Sequence, residues 1–204
     1  MSAVLSLGLG YLIGCINPAA WIAKKKHINL KEEGTKNLGA TNTAIVMGKH
    51  AGFFVLFFDI AKSYFSFKMA KWLFPKLLIA GILASIGCIL GHCFPVTMHF
   101  HGGKGLAAFG GLILAYKPWM FFTIITVGIA LMFICNTGVI APFIGCLMFP
   151  VMVFFSGHNW TDTIAVGIAS TIIFATHFSN FQMAHRKEDV VNTRDFMEKV
   201  FGKK

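Results

Sequence analysis

The 204 residues carry a formal net charge of +10, yet only 13% are charged and 56% are hydrophobic, with a mean hydropathy of +0.70. A soluble domain carries roughly 25% charged residues, so this chain cannot cover its surface against water and needs lipid as its solvent. Its basic residues form no stripe interleaved with aromatics, and Asp162 is the sole formal charge between positions 118 and 185. That excludes nucleic acid as the expected partner and points to anionic lipid head groups or anionic substrates.

Apolar runs long enough for a bilayer, roughly 20 residues each, predict spans at 3–23, 53–73, 77–95, 106–116, 119–135, 140–155 and 163–178. The fourth is short and Gly-rich (Gly110, Gly111), so it is expected either to begin inside a re-entrant loop or to cross at a tilt. The first run lacks a basic start, so no cleavable signal peptide is expected. Lys24, Lys25, Lys26, Lys31, Lys36 and Lys49 follow span one; Lys104 follows span three; Arg186, Lys187, Arg194, Lys199, Lys203 and Lys204 follow span seven. Seven crossings put all of these on one face, and cytoplasmic loops favour Lys and Arg. The expectation is an all-α, polytopic integral membrane helix bundle of about seven transmembrane helices, with its N-terminus outside and its C-terminus cytoplasmic. It forms one transmembrane domain, 1–204, ending in a basic cytoplasmic tail at 185–204. That tail reads equally well as a surface helix on anionic lipid or as a solvated end.

Asp59 and Lys62 fall three residues apart inside span two, on one helix face. Charges within a membrane pair or line a polar site, so a mutual ion pair is expected, with ordering of a functional loop as the alternative. Cys15, Cys88, Cys93, Cys135 and Cys146 lie in or beside apolar runs without a CxxC pair and are expected to pack as small hydrophobes.

Three polar loops carry the chemistry, and the predicted topology puts them on one side. Loop one reads Glu33-Gly34-Thr35-Lys36-Asn37-Leu38-Gly39-Ala40-Thr41-Asn42; glycines let a backbone approach a ligand, and hydroxyls, amides and free N–H groups suit a phosphate. A plain hydrophilic turn stays open as the alternative. Loop two reads Gly91-His92-Cys93-Phe94-Pro95, then His101-Gly102-Gly103-Lys104-Gly105. A glycine-rich turn opening a helix offers N–H groups and a positive helix end to an anion, and Lys104 adds a full charge. It is not a Walker A loop, since no Gly lies five residues before Gly103 and Gly105 stands where Ser or Thr is needed. Loop three is Thr176-His177-Phe178-Ser179-Asn180, with His177 and Asn180 on one helix face. The adjacent His92 and Cys93 are poorly placed to share zinc, so no metal site and no cofactor is expected. No His-x4-Asp pair, Ser–His–Asp triad or Cys–His pair can be assembled.

Together these segments resemble one family. Gly14-Cys15-Ile16, Asn37-Leu38-Gly39-Ala40-Thr41-Asn42, Gly48-Lys49-His50-Ala51-Gly52, Asp59…Lys62, Gly91-His92-x-Phe94-Pro95, Gly102-Gly103-Lys104-Gly105 and His177-x-x-Asn180 follow in family order. The family is the acyl-phosphate-dependent glycerol-3-phosphate acyltransferases of bacterial membranes, and the likeness covers nearly the whole chain. The resemblance implies transfer of a fatty acyl group from acyl phosphate to the 1-hydroxyl of glycerol 3-phosphate. The products are lysophosphatidic acid and phosphate, at the start of phospholipid synthesis, in the bacterial plasma membrane. It implies an acyl-phosphate-forming enzyme as functional neighbour and membrane lipids as partners. Lys104, His177 and Thr35 are then the catalytic candidates. Asn37, Thr41, Asn42, His92, Gly102, Gly103, Gly105 and Asn180 are the substrate-binding ones. His177 is a candidate base, and a phosphate oxygen of the donor is the other.

Departures from the family pattern are Thr35 for Ser, Glu33 for His, Lys36 for Gly, His101 for a stronger base, a missing Arg near Met183, and Ile45 where Arg is usual. They leave two alternatives: a non-catalytic relative that binds phospholipid precursors, favoured by Ile45, and a small anion transporter. A transporter would be expected to carry an inverted repeat, and none is found.

Overall fold

The computed structural model describes residues 1–157, 159–185 and 192–202, and all regular structure among them is helical. In chain order the helices are α1 Ser2–Gly14, α2 Pro18–Lys25, α3 Ala40–Met47, α4 Lys49–Leu73, α5 Ala80–Cys93, α6 Leu106–Tyr116, α7 Pro118–Ile134, α8 Ile140–Phe155, α9 Trp160–His185 and α10 Thr193–Phe201. A short 3-10 turn, Val96–Met98, lies between α5 and α6. Among the described residues, three stretches are long and apolar enough to cross a membrane: Ser2–Lys25, Ala80–Met98 and Trp160–Met183. Leu106–Tyr116, Pro118–Ile134 and Ile140–Phe155 are apolar but shorter. The 25 residues of α4 extend about 37 Å, although Asp59 and Lys62 interrupt their apolar character. Phe57, Trp72, Phe133, Phe155 and Ile164 lie exposed on the outside, and such apolar surface calls for lipid around it.

The first apolar run differs from the expectation of one continuous span: it breaks into α1 and α2. Pro18 stands at the first position of α2, where its missing N–H and fixed φ start a helix but cannot continue one. Asn17 caps the new helix by accepting the Ala20 N–H at 3.0 Å.

α1 and α5 approach more closely than side chains would allow. Gly10 and Gly14 of α1 face the α5 backbone at Ala84 and Cys88, while Gly87 and Gly91 of α5 face Leu7, Tyr11 and Cys15. A Cβ at Gly14 would lie 2.8 Å from the Cys88 Cα, and one at Gly91 3.0 Å from the Cys15 nitrogen. Paired small residues four apart are how helices reach this separation in lipid. The contact fixes His92 at the end of α5 beside the break between α1 and α2.

The main apolar core lies among α5, α6, α7, α8 and α9 and contains Ile89, Phe109, Leu112, Phe149, Val153, Val166 and Ile173. The Phe149 ring meets Phe109 and Tyr116 edge-on, with centroids 5.8 and 5.7 Å apart. α6 and α7 form a tight hairpin through Lys117, with Pro118 opening α7. The tail folds back on the bundle. Thr193 Oγ1 donates to the Met132 carbonyl at 3.0 Å, the Arg194 N–H donates to Asn136 Oδ1 at 3.2 Å, and Phe201 packs on Phe53. Of the tail's basic residues, Arg186, Lys187, Lys203 and Lys204 lie outside the described residues, and within α10 Arg194 and Lys199 are balanced by Asp195 and Glu198.

Candidate active site

The site begins with a buried charge cluster. The Lys62 ammonium lies 2.7 Å from Asp59 Oδ1 and donates to the carbonyls of Ile16 at 2.8 Å and Gly14 at 3.3 Å. It also lies 2.9 Å from His92 Nδ1. The same His92 nitrogen stands 3.4 Å from Asp59 Oδ1. One ion pair thus ties the middle of α4 to the α1–α2 break and to the end of α5.

Loop two is folded onto that end of α5. The Gly102 and Gly103 N–H groups donate to the carbonyls of Cys93 and His92 at 3.0 and 3.1 Å. These two glycines therefore build the turn rather than offering amides to a ligand. A side chain at Gly103 would strike the Leu38 carbonyl at 2.8 Å as well as the His92 ring, so loops one and two close over His92 only because Gly103 has none. Gly105 adopts φ +84 and opens α6, a left-handed conformation that glycine takes without strain. The first-turn amides of α6 lack partners within the helix and stand beside Lys104.

α9 grips loop two from the other side. Thr176 Oγ1 donates to the Lys104 carbonyl at 2.8 Å, and Lys104 Nζ donates to Asn180 Oδ1. The buried His177 ring has Nδ1 2.9 Å from the Ile173 carbonyl. A carbonyl only accepts, so Nδ1 carries the proton and Nε2 keeps its lone pair. Partial burial holds the Lys104 pKa below that of an ordinary lysine.

Loop one is held by Asn42. Its Oδ1 accepts the Thr35 N–H at 2.6 Å, and its Nδ2 donates to the carbonyls of Leu30 and Glu33 at 2.9 and 3.1 Å. The amide of this fully buried residue is thereby committed to the loop, which gives Asn42 an organising position rather than a ligand-facing one. Asn17 adds a bond from Nδ2 to the Leu38 carbonyl at 3.4 Å.

The three loops and the helices beneath them line an open cavity of about 330 Å³. Its polar end is lined by Asn37, Thr41, Asp59, His92, Lys104, Gly105 and His177. It continues as an apolar groove between α6 and α7, with Phe109, Ile113, Phe121, Ile124, Gly128 and Met132 among its walls. Of the residues singled out in the sequence, Thr35 is exposed on loop one, and Asn42, Gly102 and Gly103 lie behind the wall. Asn180 reaches the site through Lys104. Lys36, exposed at φ +56 on loop one, is not among the lining residues. Asn17 and Thr176 stood within the sequence motifs without an assigned role, and the groove residues escaped the sequence reading. Asn17-Pro18 carries a helix-start signal, whereas groove residues in an apolar span look like any others.

A bundle of apolar helices, with a cation, a histidine and hydroxyl and amide groups at the mouth of an apolar groove, defines a membrane protein suited to a ligand both anionic and lipidic. The sequence model of glycerol-3-phosphate acyltransferase matches residues 4–187. The chain is 32% identical to the glycerol-3-phosphate acyltransferase of Thermosipho melanesiensis, with 94% of this chain and 95% of the relative covered. It is 30% identical to that of Enterococcus faecalis over 89% and 88% of the two chains. The crystal structure of PlsY, an integral membrane glycerol 3-phosphate acyltransferase in its glycerol 3-phosphate form, superposes with a TM-score of 0.88 at 25% identity, covering 97% of this chain and 99% of that one. The lysophosphatidic acid form of PlsY shares the fold with a TM-score of 0.86. The chain belongs to the glycerol-3-phosphate acyltransferase family.

Proposed function

We propose that the protein transfers a fatty acyl group from an acyl phosphate to the 1-hydroxyl of glycerol 3-phosphate, releasing 1-acylglycerol 3-phosphate and inorganic phosphate. The observation that carries this reading is the single cavity that joins Lys104, His177, Asn37 and Thr41 to an apolar groove. A phosphate sits at the polar end and an acyl chain in the groove. Lys104, oriented by Asn180, and the first-turn amides of α6 offset charge on the phosphate and on the leaving group. Asn37 and Thr41 orient glycerol phosphate. His177 Nε2, its lone pair free, accepts the hydroxyl proton as the glycerol oxygen attacks the acyl carbon and the carbon–phosphate oxygen bond breaks. Phosphate is already a good leaving group, so no protein nucleophile is required. Thr35, Asn42, Gly102 and Gly103 shape the cradle.

We read the chain as one transmembrane unit with seven crossings, N-terminus outside and C-terminus cytoplasmic, in the bacterial plasma membrane. The contacts of α10 with the α7–α8 turn support this arrangement, because they put the tail on the same face as that turn. An acyl-phosphate-forming enzyme supplies the donor. The reading is tested with purified protein, palmitoyl phosphate and labelled glycerol 3-phosphate, with acyl-CoA and acyl carrier protein as alternative donors. Lysophosphatidic acid formed from acyl phosphate, with kcat lowered about 10²–10³-fold by Lys104→Ala, supports it. Binding of both substrates without turnover of any donor would instead establish the precursor-binding relative that Ile45 favours.

A further inference from the structure

On α7 the apolar groove's lining residues Phe121, Ile124, Ile125, Gly128 and Met132 recur at helical spacing on one face. From Met132 to Phe121 the face runs about 16 Å. On α6 the lining ends at Ile113, which is buried. Phe121 crosses from α7 onto the backbone of α6: a Cβ on Gly110 would lie 3.3 Å from its Cε2. Midway, a Cβ at Gly128 would find its nearest neighbour, Ala141, at 3.9 Å, and one at Gly145 would find Phe109 at 3.5 Å. The groove is therefore held open by missing side chains on two helices, and Phe121 lines it at the end remote from Lys104.

We propose that Phe121, packed on Gly110, sets the longest acyl chain the protein accepts, and that Gly128 keeps the groove wide enough for the chain to reach it. This rests on the acyltransferase reading above for the identity of the occupant. The geometry carries it because the groove is continuous with the site of the reacting phosphate, so the chain's carboxyl end is fixed at Lys104 and its methyl end meets Phe121. Length is then measured from one fixed end to one stop.

The test uses the full chain in detergent with decanoyl, lauroyl, palmitoyl, stearoyl and arachidoyl phosphates. Phe121→Ala should move the fall-off in kcat/KM to longer chains. Gly128→Leu should move it to shorter ones, with a change of about fourfold per methylene excluded. The KM for glycerol 3-phosphate should hold in both. Thermal stabilisation by 1-acylglycerol 3-phosphates of the same lengths reads the same dependence without turnover. It therefore separates the two ideas: a wild type inactive with every acyl phosphate sinks the donor assignment, while the binding profile still reports on the stop. Gly128→Ala, whose methyl fits the observed space, replaces the leucine variant should that fail to fold. Identical length profiles in wild type and folded Phe121→Ala, by both readouts, would overturn the proposal.

Discussion

Lys104 and Asn42 show two ways in which a polar residue serves this site. Lys104 faces the cavity, and partial burial lowers its pKa. Its charge is lost as pH rises through that lowered value, so KM for the acyl phosphate should climb at alkaline pH, earlier than an ordinary lysine would dictate. Initial rates against pH check this, and Lys104→Arg, which keeps its charge, should remove the alkaline rise. Lys104→Ala should cost about 10²–10³-fold in kcat, as expected for loss of one donor at a developing charge. Asn42, by contrast, is fully committed to loop one. Asn42→Ala would strand the Thr35 N–H and the Leu30 and Glu33 carbonyls and should destabilise the protein by about 1–3 kcal/mol, read by thermal unfolding. Thr41 and Asn42 look alike in the sequence, two neighbouring polar residues in a Gly-rich segment. Only the direction of the side chain separates the residue lining the cavity from the one holding the loop. His177 was legible from its loop, but the bond from Nδ1 to the Ile173 carbonyl that leaves Nε2 free was not.

Among the elements, the pair Asp59 and Lys62 makes α4 the hub. Asp59→Ala leaves a buried ammonium without its counterion and should cost about 3–5 kcal/mol. Replacing both charges, as in Asp59→Leu with Lys62→Met, should recover part of that loss. It would still free the α1–α2 break and His92, so activity should stay low while stability returns. Denaturation of the two variants alongside activity assays reads the difference. The ion pair itself follows from i,i+3 spacing in an apolar run, but its reach to Gly14, Ile16 and His92 depends on the close packing of α1 on α5. The signal for that packing, Gly10-x3-Gly14 against Gly87-x3-Gly91, is present in the chain, and small residues at that spacing mark helix contacts in lipid. Pro18 likewise announces the break that divides the first apolar run. α6 keeps the bounds of the fourth apolar run, 106–116.

Across the whole molecule, helical class and lipid solvent follow directly from composition, since a chain with 13% charged residues leaves few alternatives. The apolar groove does not. Phe121, Gly128 and Met132 differ in no local respect from lipid-facing neighbours such as Phe122 and Phe133, and only the pairing of α6 with α7 turns one face of α7 inward. The seven-crossing reading makes an independent prediction: a fluorescent protein fused after Lys204 should fold and fluoresce in the cytoplasm, while alkaline phosphatase at the same place should stay inactive. The reverse pattern would remove one crossing from the account and place the lysine-rich loops and the tail on different faces.

The central claim is that segments distant along the chain meet to hold a phosphate at Lys104 with an acyl groove behind it. The most direct measurement is a structure of this protein with glycerol 3-phosphate and a non-hydrolysable acyl phosphonate bound. The account predicts a phosphonate oxygen within hydrogen-bond distance of Lys104 Nζ, the acyl chain in the groove, and the glycerol 1-hydroxyl facing His177 Nε2 at its mouth. A phosphonate held elsewhere, with Lys104 still donating to Asn180 and the cavity empty, would contradict it.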